Sequence, residues 1–155
     1  MNIHLKEACK CDLPLMMAWR SNPEVYKGFY QQEGALFWLE HHNWFCSRNQ
    51  DWRTFIVLYD SRPVGVVNIG QLDNWTCEIG YFIGETTLWG KGIGTEAVRQ
   101  GIEWIREYAL THSHIVAVHT TIKHDNYASI SLIEKLGMKC VCDAREGEGR
   151  WEMML

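Results

Sequence analysis

Residues 88–97 read "LWGKGIGTEA". Gly90, Gly92 and Gly94 stand at alternate positions, Lys91 sits among them, and an amphipathic pattern begins at once. Glycine loses more conformational freedom on folding than any other residue, so three together need a local cause. Two causes fit: a tight turn, or a backbone that must touch a ligand. Downstream, Val98, Ile102, Ile105 and Ala109 recur with the rhythm of a buried helical stripe. Upstream, "TCEIGYFIG" (76–84) has the pattern of a strand. The first N–H groups of a helix have no internal partner, and the helix dipole adds partial positive charge there. Such an end suits a phosphate or pyrophosphate, and glycines remove the Cβ atoms that would hold it off. Lys91 would add charge at the rim. The stretch is not a G-x-x-x-x-G-K-[ST] loop, and G-x-G-x-x-G is not matched. On these residues alone the turn and the phosphate cradle both stand.

Outward from the glycines, the pattern predicts a strand over 2–8. A helix follows over 13–21, with Asp12 as cap and Pro14 tolerated in its first turn. "SNP" (21–23) breaks it, and a second helix is expected over 33–48. Strands over 53–60 and 63–72 are joined by "DSRP" and continue through a turn near Asp73 into 76–84, forming an antiparallel meander. Beyond the long helix come a strand over 114–122 and a helix over 128–137, capped by Asp125 or Asn126 and stopped by Gly137. A hairpin around "REGEGR" closes the chain. The order β-α-α-β-β-β-α-β-α-β-β is that of an α/β fold with a mixed sheet.

The 155 residues suffice for one domain, expected over 1–155, with a substantial core. Hydrophobic residues make up 46% and charged residues 22%, as in a soluble globular protein. The net charge of −4 lacks the basic footprint of a nucleic-acid binder. No apolar run reaches membrane-spanning length, and "MNIHLKEACK" has no signal-peptide core, so a cytoplasmic protein without membrane or nucleic-acid partners is expected. The six cysteines include two C-x-C pairs, Cys9/Cys11 and Cys140/Cys142. A reducing compartment argues against disulfides. The absence of C-x2-C spacing, and of any H-x3-H or H-E-x-x-H pattern among the histidines, argues against a metal site.

The stretch 78–98, "EIGYFIGETTLWGKGIGTEAV", resembles the acetyl-CoA motif of the GNAT superfamily of N-acetyltransferases, with Gly92 and Gly94 at the motif's glycines. "HDNYASISLIEKLGM" (124–138) is similar to the family's second motif through Asn126, Ser129 and Gly137, with Met138 in place of Phe. "AWRSNPEVYKGF" (18–29) resembles the opening of one branch, which holds ribosomal-protein N-terminal, polyamine and nucleotide-amino-sugar acetyltransferases. The resemblance implies a mostly antiparallel central sheet of about seven strands flanked by about four helices. It implies acetyl-CoA as co-substrate, held by Phe82, Ile83 and Gly84 on the strand, by the run Trp89, Gly90, Lys91, Gly92, Ile93, Gly94 and Thr95, and by Asn126 and Ser129. Trp89 stands where the motif carries Gln or Arg. Dimers are common in the branch, so a homodimer is compatible with the resemblance.

Acetyl transfer from a thioester needs a neutral amine. A primary alkyl amine, with a pKa near 10.4, therefore gains most from a general base. Glu78 holds the strand position where several relatives carry a catalytic Glu; it competes with a plain cross-strand carboxylate. Backbone N–H groups near 82–84 would meet the oxyanion. The Tyr that many relatives use to protonate the leaving thiolate is Ile133 here. Ser129 is next by motif, followed by Tyr127 or water. Trp19, Arg20, Tyr30 and Trp38, together with Glu78, fall in the region that shapes the acceptor pocket of relatives, although core packing is the ordinary fate of aromatics. Three functions follow: an N-acetyltransferase for a small amine or activated amino sugar, one for protein N-termini, or an acyl-CoA-binding module without catalysis.

Overall fold

The computed structural model describes residues 2–29 and 32–155. Tyr30, expected in the acceptor pocket, lies outside the described residues. β1 (Ile3–Glu7), β2 (Arg53–Tyr59), β3 (Arg62–Gly70) and β4 (Thr76–Ile83) pair antiparallel in that order, and β2 to β4 form the expected meander. Asp60 and Ser61, with φ of 47° and 66°, make the tight left-handed turn between β2 and β3. β5 (Ala117–Lys123) lies parallel to β4, and the hairpin β6 (Lys139–Arg145) and β7 (Glu148–Met154) completes a seven-stranded sheet of order β1-β2-β3-β4-β5-β7-β6. Gly147, with φ of 77°, turns that hairpin.

Successive strand residues point to opposite faces, and both faces are covered. Phe55, Val57, Val67, Ile69, Cys77 and Ile79 face α4 (Ile93–Ala109), whose Ile93, Ala97, Val98, Ile102 and Ile105 are buried. Burying each large aliphatic chain contributes about 1.5–3 kcal/mol. Ile56 and Val66 face the other way, toward Leu13, Met16 and Trp19 of α1 (Leu13–Arg20). α5 (Tyr127–Lys135) adds Ile133 to the α4 side. Of its two candidate caps, Asn126 serves: its Oδ1 accepts the Ser129 N–H at 3.3 Å. Gly137, at φ 92°, ends the helix, with Met138 N–H returning to Ile133 O and Gly137 N–H to Glu134 O.

Several elements differ from expectation. The second helix is α3 (Trp38–Cys46), shorter than 33–48 at both ends, and a further turn of helix, α2 (Pro23–Tyr26), brings the α-helices among the described residues to five. α2 forms because Asn22 accepts the Glu24 N–H and Pro23 begins a helix readily. Residues 114–116 precede β5 rather than belong to it. Asp12 gives α1 no side-chain cap; its carboxylate accepts the Cys9 N–H and pairs with Lys6. Contrary to expectation, Cys9 and Cys11 are joined in a disulfide. The 3-10 turn Lys10–Asp12 brings their Cα atoms to 5.2 Å, within bridging range. Cys140 and Cys142 lie in extended β6 and stay free, because residues two apart on a strand sit about 7 Å apart.

Candidate active site

β4 and β5 form a fork. Their register covers only Thr76–Ala117, Cys77–Val118 and Glu78–His119; beyond it the strands part. A cleft of about 990 Å³ opens between them. Gly80 to Ile83 line one wall and Thr120 to Lys123 the other. The glycine loop and the start of α4 close one end, and the start of α5 lies alongside.

Gly84 N–H donates to Val64 O, which fixes the alternation along β4. By the β3–β4 register, the N–H groups of Glu78, Gly80 and Phe82 also turn toward β3, while those of Ile79, Tyr81 and Ile83 turn toward the fork. Of residues 82–84, where oxyanion donors were expected, Phe82 and Gly84 turn their N–H groups to β3; Ile83 turns its own toward the fork, as does Tyr81 just outside that range. The Ile83 carbonyl is occupied, accepting Trp89 Nε1–H at 2.8 Å, so Trp89 pins the glycine loop to the strand end. Gly84 is not on the cleft wall. A Cβ there would lie 2.1 Å from the Trp19 ring, so packing explains this glycine. Gly90 and Gly92 have φ of 76° and 80°, where L side chains are strained, and Gly92 immediately precedes α4. Gly90, Gly92, Ile93, Gly94 and Thr95 line the cleft, and the first N–H groups of α4 have no partner inside the helix. The loop is thus a left-handed turn that also brings unpartnered N–H groups to the cleft wall. Lys91 is exposed and off the cleft wall.

Glu78 stands on the cleft at the point of the fork. Its carboxylate accepts Gln71 Nε2–H at 2.9 Å. Burial raises its pKa, while Arg145, the Gln71 bond and Arg150 act in the opposite direction. Beside it in register, His119 is buried with Nδ1 unpartnered among the described residues, and burial and Arg150 bring its pKa down to about 4, so the ring is neutral. Ser129 lines the cleft, whereas Tyr127 is 76% exposed and does not. Ile133 is fully buried in the core. Tyr81, which sequence reasoning passed over, lines the cleft and donates its hydroxyl to Ser129 O at 3.3 Å. Burial pushes its pKa up to about 12, so it remains a donor across neutral pH.

The aromatics sort differently from expectation. Trp19 is 4% exposed, is packed in the core and donates Nε1–H to Glu85 at 2.8 Å. Trp38 is 47% exposed, lies off the cleft and faces His42. Trp44 and Phe29 instead line the cleft, with Arg20 and Asn68. A smaller hollow of about 320 Å³ continues from there, sharing Arg20, Phe29 and Trp44 with the cleft and adding Gln32, Leu36, Glu40 and His41. Away from both, Cys9, Cys11 and Asp12 come within 4.8 Å of one another, but the two sulfurs are bonded together and offer no thiolate.

The profile of the family described as "Acetyltransferase (GNAT) domain" matches residues 2–139. An uncharacterized protein of Methanocaldococcus jannaschii is 40% identical over 158 residues, covering 99% of this chain and 31% of its own. The chain thus spans about a third of that curated relative's length. The crystal structure of a domain from the same organism is 39% identical over 99% of both chains, with a TM-score of 0.92. An aminoglycoside acetyltransferase in complex with coenzyme A shares the fold, with a TM-score of 0.83 at 13% identity over 99% of this chain and 95% of that one. Spermidine N-acetyltransferase from Vibrio cholerae, in complex with CoA and spermine, does so with a TM-score of 0.78 at 17% identity over 98% and 95%. With the profile running over most of its length and a relative at 40% identity across nearly all of it, the chain belongs to the GNAT acetyltransferase family.

Proposed function

We propose that the protein is an N-acetyltransferase that moves an acetyl group from acetyl-CoA to the primary amine of a small molecule or activated amino sugar by direct attack. The observation that carries this reading is the fork: one open strand edge runs from a half-buried carboxylate to a glycine-lined helix start. The donor-shaped end fits a CoA diphosphate. Gly90, Gly92 and Gly94 present no side chain, and the N–H groups of Ile93, Gly94 and Thr95 await an acceptor. Phe82 and Ile83 on one wall, with Asn126 and Ser129 on the other, would flank the pantetheine arm. Acetyl-CoA supplies the activated thioester.

Glu78 takes the proton of the incoming amine, directly or through water. Its raised pKa makes it a stronger base than a solvated carboxylate. The Tyr81 and Ile83 N–H groups meet the developing oxyanion. Two hydroxyls on the cleft wall, Ser129 and Tyr81, serve the departing sulfur in place of the Tyr missing at 133. The protein is expected to work in the cytoplasm.

The test is a thiol-release screen with acetyl-CoA against simple amines, polyamines, N-terminal peptides and UDP-amino sugars. Release dependent on a small amine or amino sugar is expected. Turnover confined to peptides would replace this reading with protein N-terminal acetylation. Binding of acetyl-CoA with no acceptor turned over would leave only a binding module.

A further inference from the structure

Two guanidinium groups converge on one indole of the cleft wall. Arg48 Cζ lies 4.0 Å, and Arg20 Cζ 5.4 Å, from the centre of the Trp44 ring. Arg99, Arg106, Arg145 and Arg150 each hold a carboxylate, Arg53 donates to the Gln50 and Trp52 carbonyls, and Arg62 is exposed to water. Among the described residues, Arg20 and Arg48 form no ion pair. Their hydrogen bonds go to neutral acceptors: Arg20 to Gln32 Oε1 at 3.3 Å, and Arg48 to Asn68 Oδ1 at 3.0 Å and to Thr54 Oγ1. Taking a cation out of water without a counter-ion is costly, and two close together add their repulsion. The strain shows in their acidity. Burial lowers both, and Arg48, with Arg20 beside it, falls to about 10.

A third group points the same way. His41 is 2% exposed, lines the hollow, and neither ring nitrogen has a hydrogen-bond partner among the described residues. The Leu13 backbone lies near it, outside hydrogen-bond geometry. Burial and Arg20 hold its pKa down, so the ring is neutral and offers one N–H donor. Glu40, the carboxylate on this hollow, sits on its exposed rim, and Glu24 on the adjoining cleft is paired with Lys27 at 2.7 Å.

We propose that the hollow binds a phosphate group carried by the acceptor itself, so that the substrate is a phosphate- or diphosphate-bearing amine. This rests on the acetyltransferase reading and narrows it. Arg20 is the direct ligand, His41 N–H the second donor, and Arg48, against the Trp44 ring but off the hollow wall, supplies positive charge. The hollow shares Arg20, Phe29 and Trp44 with the cleft, so one molecule can reach from Glu78 into it. Polycationic acceptors are disfavoured by the same charges.

The test is calorimetric titration of UDP and of inorganic pyrophosphate into the protein saturated with CoA, which keeps the α4 terminus filled. Both probes are expected to bind. Arg20→Ala should weaken both by about tenfold or more, the size of a lost charge-assisted contact, and Arg20→Lys should retain part of the affinity. CoA affinity should be unchanged. No binding of either probe overturns the proposal, as does binding undiminished in Arg20→Ala. Pyrophosphate binding without UDP binding overturns the acceptor as the source of the phosphate. Should Arg20→Ala fail to fold, His41→Phe carries the same expectation, with an aromatic ring kept against Trp44. The CoA titration reports on the enzymatic reading separately. If CoA itself does not bind, that reading fails, and the two probes titrated into the free protein still decide the site.

Discussion

At the scale of single residues, Glu78 carries two consequences at once. Its raised pKa means that the folded protein holds this proton more tightly than the unfolded chain does. The stabilising contribution is therefore present in acid and is lost as the pH rises through the folded pKa; above it, the ionised carboxylate costs stability. Glu78→Gln is permanently neutral. It should melt at a higher temperature than wild type at neutral pH, with the two curves converging in acid. Its turnover should fall by about 10²–10⁴, the usual span for a lost general base, with acetyl-CoA affinity retained. The deficit should shrink in alkali, where more amine is already neutral. Equal turnover at every pH would remove Glu78 from the chemistry. Which aromatics reach the site was not legible at this scale. Trp38 and Trp44 lie six apart on one expected helix, and the face each takes depends on where that helix starts. Arg48 announces itself only once β2 and β3 have brought Thr54 and Asn68 beside it, and His41 only once α3 has stacked it on Trp44 at the hollow.

At the scale of elements, backbone angle separates the turn made by the glycine loop from the contact with acetyl-CoA proposed for it. Gly92 must adopt φ of 80°, so Gly92→Ala should cost about 1–2 kcal/mol of stability whether or not a ligand binds. Gly94 carries no such demand. A Cβ there meets the flexible end of Leu132 at 3.1 Å and Ile83 Cγ1 at an ordinary contact distance of 3.7 Å. Gly94→Val should therefore leave the melting temperature close to wild type but weaken acetyl-CoA binding, as read by calorimetry. Lys91→Ala, off the cleft wall, should change it less. A folded Gly94→Val protein with unaltered affinity would make the loop a turn and nothing more. This loop was readable in advance because glycines, strand pattern and helix stripe are all local signals. The fork was not, since it arises from how few residues of β4 and β5 pair across 40 intervening positions. The Cys9–Cys11 bridge escaped for a related reason: a compartment argument says nothing of a 3-10 turn that closes the distance.

At the scale of the molecule, the sheet is two half-sheets meeting at three paired positions. β1 to β4 stand on one side and β5, β7 and β6 on the other. A ligand lying along the open edge of β4 would supply the hydrogen bonds that the strands do not give each other. Hydrogen exchange should therefore show the Tyr81 and Ile83 amides protected on addition of acetyl-CoA, with β1 and β2 unchanged. Protection spread evenly over the sheet would place the ligand elsewhere. The fork also makes the fold's lifetime a function of metabolism. At a hundredfold excess over its dissociation constant, a native-state ligand adds about 2.7 kcal/mol of stability. Copies deprived of their donor open more readily to a protease than loaded ones, so the abundance of the protein would track the acyl-donor supply of the cell with no dedicated regulator.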